Sequence, residues 1–198
     1  MSTVIIKYNA GNIFSVKCAL NRIGVEATVS DNPDVISAAD KIIFPGVGEA
    51  AAAMRYLQSH NLDAVIKSLK CPVLGICIGM QLMCRSSEEG NTQCLGIFDT
   101  DVRRFDSCGN PDFKIPHVGW NTVTSNVENE LLSHSSHDEY VYFVHSYYVP
   151  VGRYTIMTAD YIHPFGAAMH KDNFYAVQFH PEKSGKVGEN ILKNFMRL

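Results

Sequence analysis

The sequence predicts an α/β protein of three layers, α/β/α, with a mixed, mainly parallel central sheet and an antiparallel extension. In its first half, short apolar runs alternate with helical patterns, which is how parallel strands covered on both faces read. Beyond about residue 95, strand-like runs follow one another with little helix between them, which is how antiparallel strands read. A chain of 198 residues, 46% hydrophobic and 19% charged, is ordinary for a globular protein and long enough for one full core. Residues 1–198 are therefore expected to form a single domain.

Taken in order, residues 4–6 read as a strand and 13–23 as a helix closed by Gly24 at the position after its C-cap. Strands follow at 25–29 and 42–44, helices at 50–58 and 62–69, a buried strand at 73–76, and directly after it a helix at 78–85. The second half offers strands at 102–105, 121–124, 140–149, 154–158, 166–170 and 174–179. His170-Lys171-Asp172-Asn173 reads as a hairpin turn, and 187–196 as an amphipathic closing helix. Neither repeats nor linkers interrupt the pattern.

The formal net charge is −3 with no run of like charges, which argues against a broad basic face for nucleic acid or anionic membrane. No stretch approaches a membrane span, and the N-terminus lacks a signal-peptide apolar region. Six cysteines without C-x-x-C spacing suit neither a zinc ribbon nor a thioredoxin-type site. A reducing, cytoplasmic setting with free thiols is expected, and neither a metal nor a cofactor is called for.

Gly75-Ile76-Cys77-Ile78-Gly79 lies between a strand and a helix, the arrangement of a nucleophile elbow. A sharp turn would hold Cys77 in a strained backbone conformation, with glycines where strand and helix nearly touch. The helix N-terminus favours the thiolate, and backbone N–H groups from Ile78 onward can donate to an oxyanion. The plainer alternative, a buried structural cysteine, is the expectation for Cys18, Cys71, Cys84, Cys94 and Cys108.

A thiol nucleophile needs a base, and the base needs a group to orient it. His180-Pro181-Glu182 supplies both after a core strand, on the sheet edge where α/β proteins bind ligands. His60, His134, His137, His163 and His170 stand in polar or loop-like contexts and are expected at the surface. Gly46, Gly48 and Ala51 formally match the dinucleotide fingerprint, but this is not the first strand–turn–helix, and the next strand ends in Cys77 rather than an acid. Gly46-Val47-Gly48 is better read as a loop presenting a backbone N–H to an oxyanion.

Together, Gly75-Ile76-Cys77-Ile78-Gly79-Met80-Gln81, Val177-Gln178-Phe179-His180-Pro181-Glu182 and the Pro45–Gly48 loop resemble the class I glutamine amidotransferases, from about residue 3 to the C-terminus. Within that family the chain is most similar to the glutaminase subunits of imidazole glycerol phosphate synthase. Met80, Pro116-His117-Val118-Gly119-Trp120-Asn121 and Tyr142-Phe143-Val144-His145-Ser146-Tyr147 carry that likeness. The resemblance implies a Cys77–His180–Glu182 triad and glutamine contacts from Gly48, Gln81, Glu89, Ser146 and Tyr147. It also implies a heterodimer with a (β/α)8-barrel cyclase faced by the segment of His117 and Trp120, with ammonia passing between the subunits. Taken without the family, Trp120 could equally be core filler and His145 a satisfied strand histidine. The block Lys7-Tyr8-Asn9-Ala10-Gly11-Asn12 departs from the family's usual Asp and Gly-Met-Gly. Three alternatives stay open on sequence: a subunit serving anthranilate, pyridoxal phosphate or carbamoyl phosphate synthesis, a stand-alone γ-glutamyl hydrolase, and a non-enzymatic subunit of flavodoxin-like architecture.

Overall fold

Four apolar strands of the first half, β1 (Thr3–Ile6), β2 (Ala27–Ser30), β3 (Lys41–Phe44) and β4 (Val73–Ile76), lie side by side and parallel in the computed structural model. The structure describes residues 1–8, 11–125, 127–132 and 138–198. His134 and His137, expected at the surface, lie outside the described residues. The late strand β13 (Phe174–Val177) joins β4 in parallel and turns the sheet antiparallel through β12 (His163–Lys171), β11 (Thr155–Tyr161), β8 (His117–Ser125) and β9 (Asp138–His145). The order among the described residues is β2-β1-β3-β4-β13-β12-β11-β8-β9.

The near-continuous apolar run of each parallel strand has a cause: both faces are covered. Val4, Ile6, Ile42 and Phe44 pack with α3 (Ala50–Ser59), α4 (Leu62–Ser68) and α5 (Ile78–Leu82), together with a short helix α2 (Pro33–Ser37) that the sequence reading missed. Ile5, Ile43, Leu74 and Val177 point the other way, onto α1 (Ile13–Arg22) and α6 (Gly185–Arg197). That alternation within single strands is what makes three layers. At the end of α1, Gly24 takes φ 79° and its N–H donates to the Asn21 carbonyl, the helix stop read from sequence.

Several boundaries moved for tertiary reasons. The helix expected over 78–85 ends at Leu82, because Leu95, Gly96 and Phe98 donate their N–H groups to the Leu82, Cys84 and Met83 carbonyls. The strand expected over 140–149 breaks at Ser146. There the Phe105 N–H takes the Ser146 carbonyl, and the chain leaves β9 to pair as β10 (Tyr147–Tyr148) with β7 (Asp101–Arg104) in a small second sheet. That sheet also holds β5 (Ser86–Ser87) and β6 (Thr92–Gln93). The hairpin at 170–173 turns through Asp172 at φ 54°.

Some burial expectations are corrected. Cys108 is exposed rather than buried, and Cys18 and Cys71 are half-buried. His163 and His170 are half-buried: His170 stacks on Tyr175 at 4.1 Å and His163 packs on Tyr148 at 4.4 Å. Among the described residues no helix is long and apolar enough to cross a membrane.

Candidate active site

Cys77 stands between β4 and α5 with φ 53° and ψ −108°, a backbone region that L-residues rarely adopt. Its N–H donates to the Val177 carbonyl at 2.8 Å, so the strained turn is tied to β13. The close approach also requires glycine at 79, where a Cβ would lie 1.9 Å from the Phe44 carbonyl oxygen at the end of β3. The side chain is 6% exposed. Its Sγ lies 3.9 Å from the Val144 carbonyl oxygen and 3.7 Å from Gln178 Nε2.

His180 follows β13, fully buried, with Nδ1 at 2.7 Å from Glu182 Oε1. The turn Pro181–Lys183 brings the carboxylate back to the ring, and the Ser184 hydroxyl donates to the His180 carbonyl at 2.7 Å. Glu182 has a second partner that the motifs did not name. Asn12, at the start of α1 with φ 74°, donates its side-chain N–H to the same Glu182 oxygen. With Nδ1 engaged by a carboxylate, the ring presents Nε2 as its remaining edge. His180 Nε2 and Glu182 Oε2 are buried without a hydrogen-bond partner among the described residues. Burial opposes a positive charge on the ring, but Cys77 and Glu182 outweigh it and push the His180 pKa up to about 10.

A cavity of about 280 Å³ opens over the cysteine, in the size class of a small-molecule site. Gly48, Gln81, Glu89, Ser146 and Tyr147 all line it, as do Val47, Cys77 and Ile78. Pro116, Val144 and His145 complete the lining and carried no cavity signal in the sequence. Gly46 does not reach the cavity. It is buried, and a Cβ on it would sit 2.0 Å from the Tyr8 hydroxyl and 2.1 Å from Ile78 Cγ2, so the close packing there requires glycine. Tyr8 donates to the Pro45 carbonyl and the Gly11 N–H to the Val47 carbonyl at 3.3 Å, so Tyr8 and Gly11 brace this loop. Glu89 accepts the Ala50 N–H at 2.7 Å, tying it to the start of α3, while burial raises its pKa.

The segment expected to face a partner divides by strand alternation. Val118 and Trp120 on β8 are 57% and 56% exposed, and Tyr140 on β9 is 63% exposed, forming an apolar outer strip. His117 points inward instead: it is 4% exposed and stacks on Tyr161 at 4.0 Å, so its side chain supports that strip from beneath. Among the described residues no group of three or more His, Cys, Asp or Glu side chains could hold a metal ion.

A sequence profile described as glutamine amidotransferase class-I matches residues 4–198. Imidazole glycerol phosphate synthase subunit HisH of Bacteroides fragilis is 60% identical over 198 residues, all of both chains. The subunit of the same name from Bacteroides thetaiotaomicron is 56% identical over 198 residues and that of Escherichia coli 48% over 199, again across all of both chains. Among solved structures, a glutamine amidotransferase of Thermotoga maritima superposes with a TM-score of 0.65 at 14% identity, covering 100% of this chain and 83% of that one. Another glutamine amidotransferase gives a TM-score of 0.74 at 15% identity, covering 98% and 97%. At such identities these two speak for the fold alone.

Proposed function

The chain belongs to the class-I glutamine amidotransferase family, and from that membership we propose that it is the glutaminase subunit of an imidazole glycerol phosphate synthase. It hydrolyses glutamine to glutamate and ammonia and delivers the ammonia to a cyclase subunit in histidine biosynthesis. The observation that carries the chemistry is the strained Cys77 turn sharing one cavity with Gly48, Gln81, Glu89, Ser146 and Tyr147, with the buried His180–Glu182 pair beside it.

In the reaction we assign, Cys77 gives its proton to His180 and its sulfur attacks the side-chain amide carbon of glutamine. The tetrahedral oxyanion takes backbone N–H groups from Ile78 and the Val47–Gly48 arm of the loop. His180, oriented by Glu182, protonates the departing nitrogen; the C–N bond breaks, and ammonia leaves a glutamyl thioester. His180 then takes a proton from water, the hydroxide attacks the thioester carbon, and the C–S bond breaks to release glutamate and the cysteine. Gln81, Glu89, Ser146 and Tyr147 line the space for the rest of the substrate.

Ammonia is mostly protonated in neutral water and then not nucleophilic, so it has to pass directly into the partner. We assign the (β/α)8-barrel cyclase to the exposed strip of Val118, Trp120 and Tyr140, because Val118 pairs with the cavity-lining Val144 and an exposed apolar strip is what a second subunit would cover. A cytoplasmic location and a single working domain complete the proposal, and the free thiols suit a reducing compartment.

The test is Cys77→Ala in the complex with the cyclase. Glutamine-dependent synthesis is expected to vanish while added ammonium still supports the cyclase. Loss of both activities in an intact complex would overturn the division of labour.

A further inference from the structure

We infer that Gln178 is a catalytic residue whose side-chain N–H stabilises the Cys77 thiolate. The inference rests on the reading of Cys77 as the nucleophile. Its starting point is the backbone carbonyl of Tyr147, which can only accept. The Gln81 amide atom 3.0 Å from that carbonyl is therefore its nitrogen. The same nitrogen lies 2.9 Å from the Gln178 amide, so the Gln178 atom facing it is the oxygen. This leaves the Gln178 nitrogen as the atom 3.7 Å from Cys77 Sγ. The orientation of both amides thus follows from one unambiguous acceptor.

The sulfur accordingly meets a different group in each ionisation state. As a thiol it can donate to the Val144 carbonyl at 3.9 Å; as a thiolate it can accept from Gln178. Gln178 is fully buried, so its side-chain amide is held away from competing water, and its backbone N–H, donating to the Ala167 carbonyl at 2.8 Å, fixes the main chain beneath it. The parallel register Ile76↔Val177 between β4 and β13 places residues 77 and 178 side by side at the strand ends. The titratable groups acting near the sulfur are His180 with Glu182 behind it, Tyr8 from the segment after β1, and His145, which is coupled to His180. Gln178 adds a neutral donor whose contribution does not depend on its own proton uptake.

The test compares the full chain, in complex with the cyclase, as wild type, Gln178→Met and Gln178→Glu. Two readouts are taken: glutaminase steady-state kinetics, and the pH dependence of Cys77 alkylation by iodoacetamide, followed by mass spectrometry of the Cys77 peptide. Removing a hydrogen bond to a charged group is expected to lower kcat about 10- to 100-fold, with KM changed by less than about threefold. The alkylation midpoint should move to higher pH in Gln178→Met and further in Gln178→Glu, where an acceptor replaces the donor. A Gln178→Met enzyme with wild-type kcat and an unmoved alkylation profile would overturn the inference, and a purely structural role would lower thermal stability without moving that profile. Should Gln178→Glu fail to fold, Gln178→Met decides alone. Cys77→Ala separates the two readings: full glutaminase activity there sinks the nucleophile, whereas a dead Cys77→Ala beside a normal Gln178→Met sinks only the role of Gln178.

Discussion

Acidification should unfold this protein through a buried pair of histidines. His117 and His145 are 4% and 6% exposed, with His117 Nδ1 at 3.1 Å from His145 Nε2. His145 Nδ1 lies 2.7 Å from the Tyr147 carbonyl oxygen and must donate to it, so its Nε2 accepts from His117. Each ring then holds one proton, and the chain fails when either ring becomes a cation. Burial holds His117 down at about 4 and His145 at about 3, whereas both titrate near 6.5 in the unfolded chain. With folded values depressed, the stabilisation is complete above about pH 6.5 and is lost as pH falls toward the folded values. Between pH 7 and pH 5 the unfolded state gains about three-quarters of a proton per ring, which integrates to about 2 kcal/mol each and about 4 kcal/mol for the pair. His180 works in the opposite sense: its value of about 10 is raised, so its contribution is complete below its unfolded pKa and lost as pH rises toward 10. It is common to all variants and cancels. Urea unfolding at pH 7 and pH 5 of the wild type and of a double variant, His117→Gln with His145→Gln, reads the effect directly. The wild type is expected to lose about 4 kcal/mol more than the double variant on acidification, or on the order of 10 °C in Tm for a chain of this length. Equal losses in both proteins would refute the assignment of neutral, buried rings.

Three further substitutions test other parts of the molecule. Asn12→Ala removes the side-chain donor on Glu182 and should lower glutaminase kcat roughly tenfold with little change in Tm, since only the orientation of the base is loosened; unchanged kcat would assign Asn12 to the start of α1 alone. Gly79→Ala drives a methyl group into a backbone oxygen and should cost about 3 kcal/mol, seen as a lower melting temperature together with lost activity. A normal melt would mean that the elbow and β3 are not in contact. Trp120→Ala should weaken cyclase binding about 30-fold in a titration while leaving the isolated chain's melting temperature in place. A fall in that temperature would instead make Trp120 part of the core.

Much of the site could be read directly because its pieces are local. Gly75-Ile76-Cys77-Ile78-Gly79 announces a strained strand-to-helix turn through residue type and order alone, and Glu182 stands two residues from the histidine it meets. The near-continuous apolar strands of the first half likewise declared a sheet covered on both faces. What escaped was non-local. Asn12 meets Glu182 because α1 begins against the turn at 181–183, and nothing in Gly11-Asn12-Ile13 signals it. Nor does the sequence around Gly46 show that the Tyr8 and Ile78 side chains fill the space a Cβ there would need. His117 and Trp120 share one motif and face opposite ways, because strand alternation assigns one to the aromatic interior and the other to solvent. The sequence by itself determined the backbone turn at Cys77, the pairing of His180 with Glu182 and the parallel strands of the first half, since these follow from neighbours a few residues apart. Tertiary structure alone decided that Gln178 meets Cys77 and that His180 lies within electrostatic reach of it, because that depends on β13 lying in register beside β4, a pairing between segments about a hundred residues apart that only the packed sheet can select.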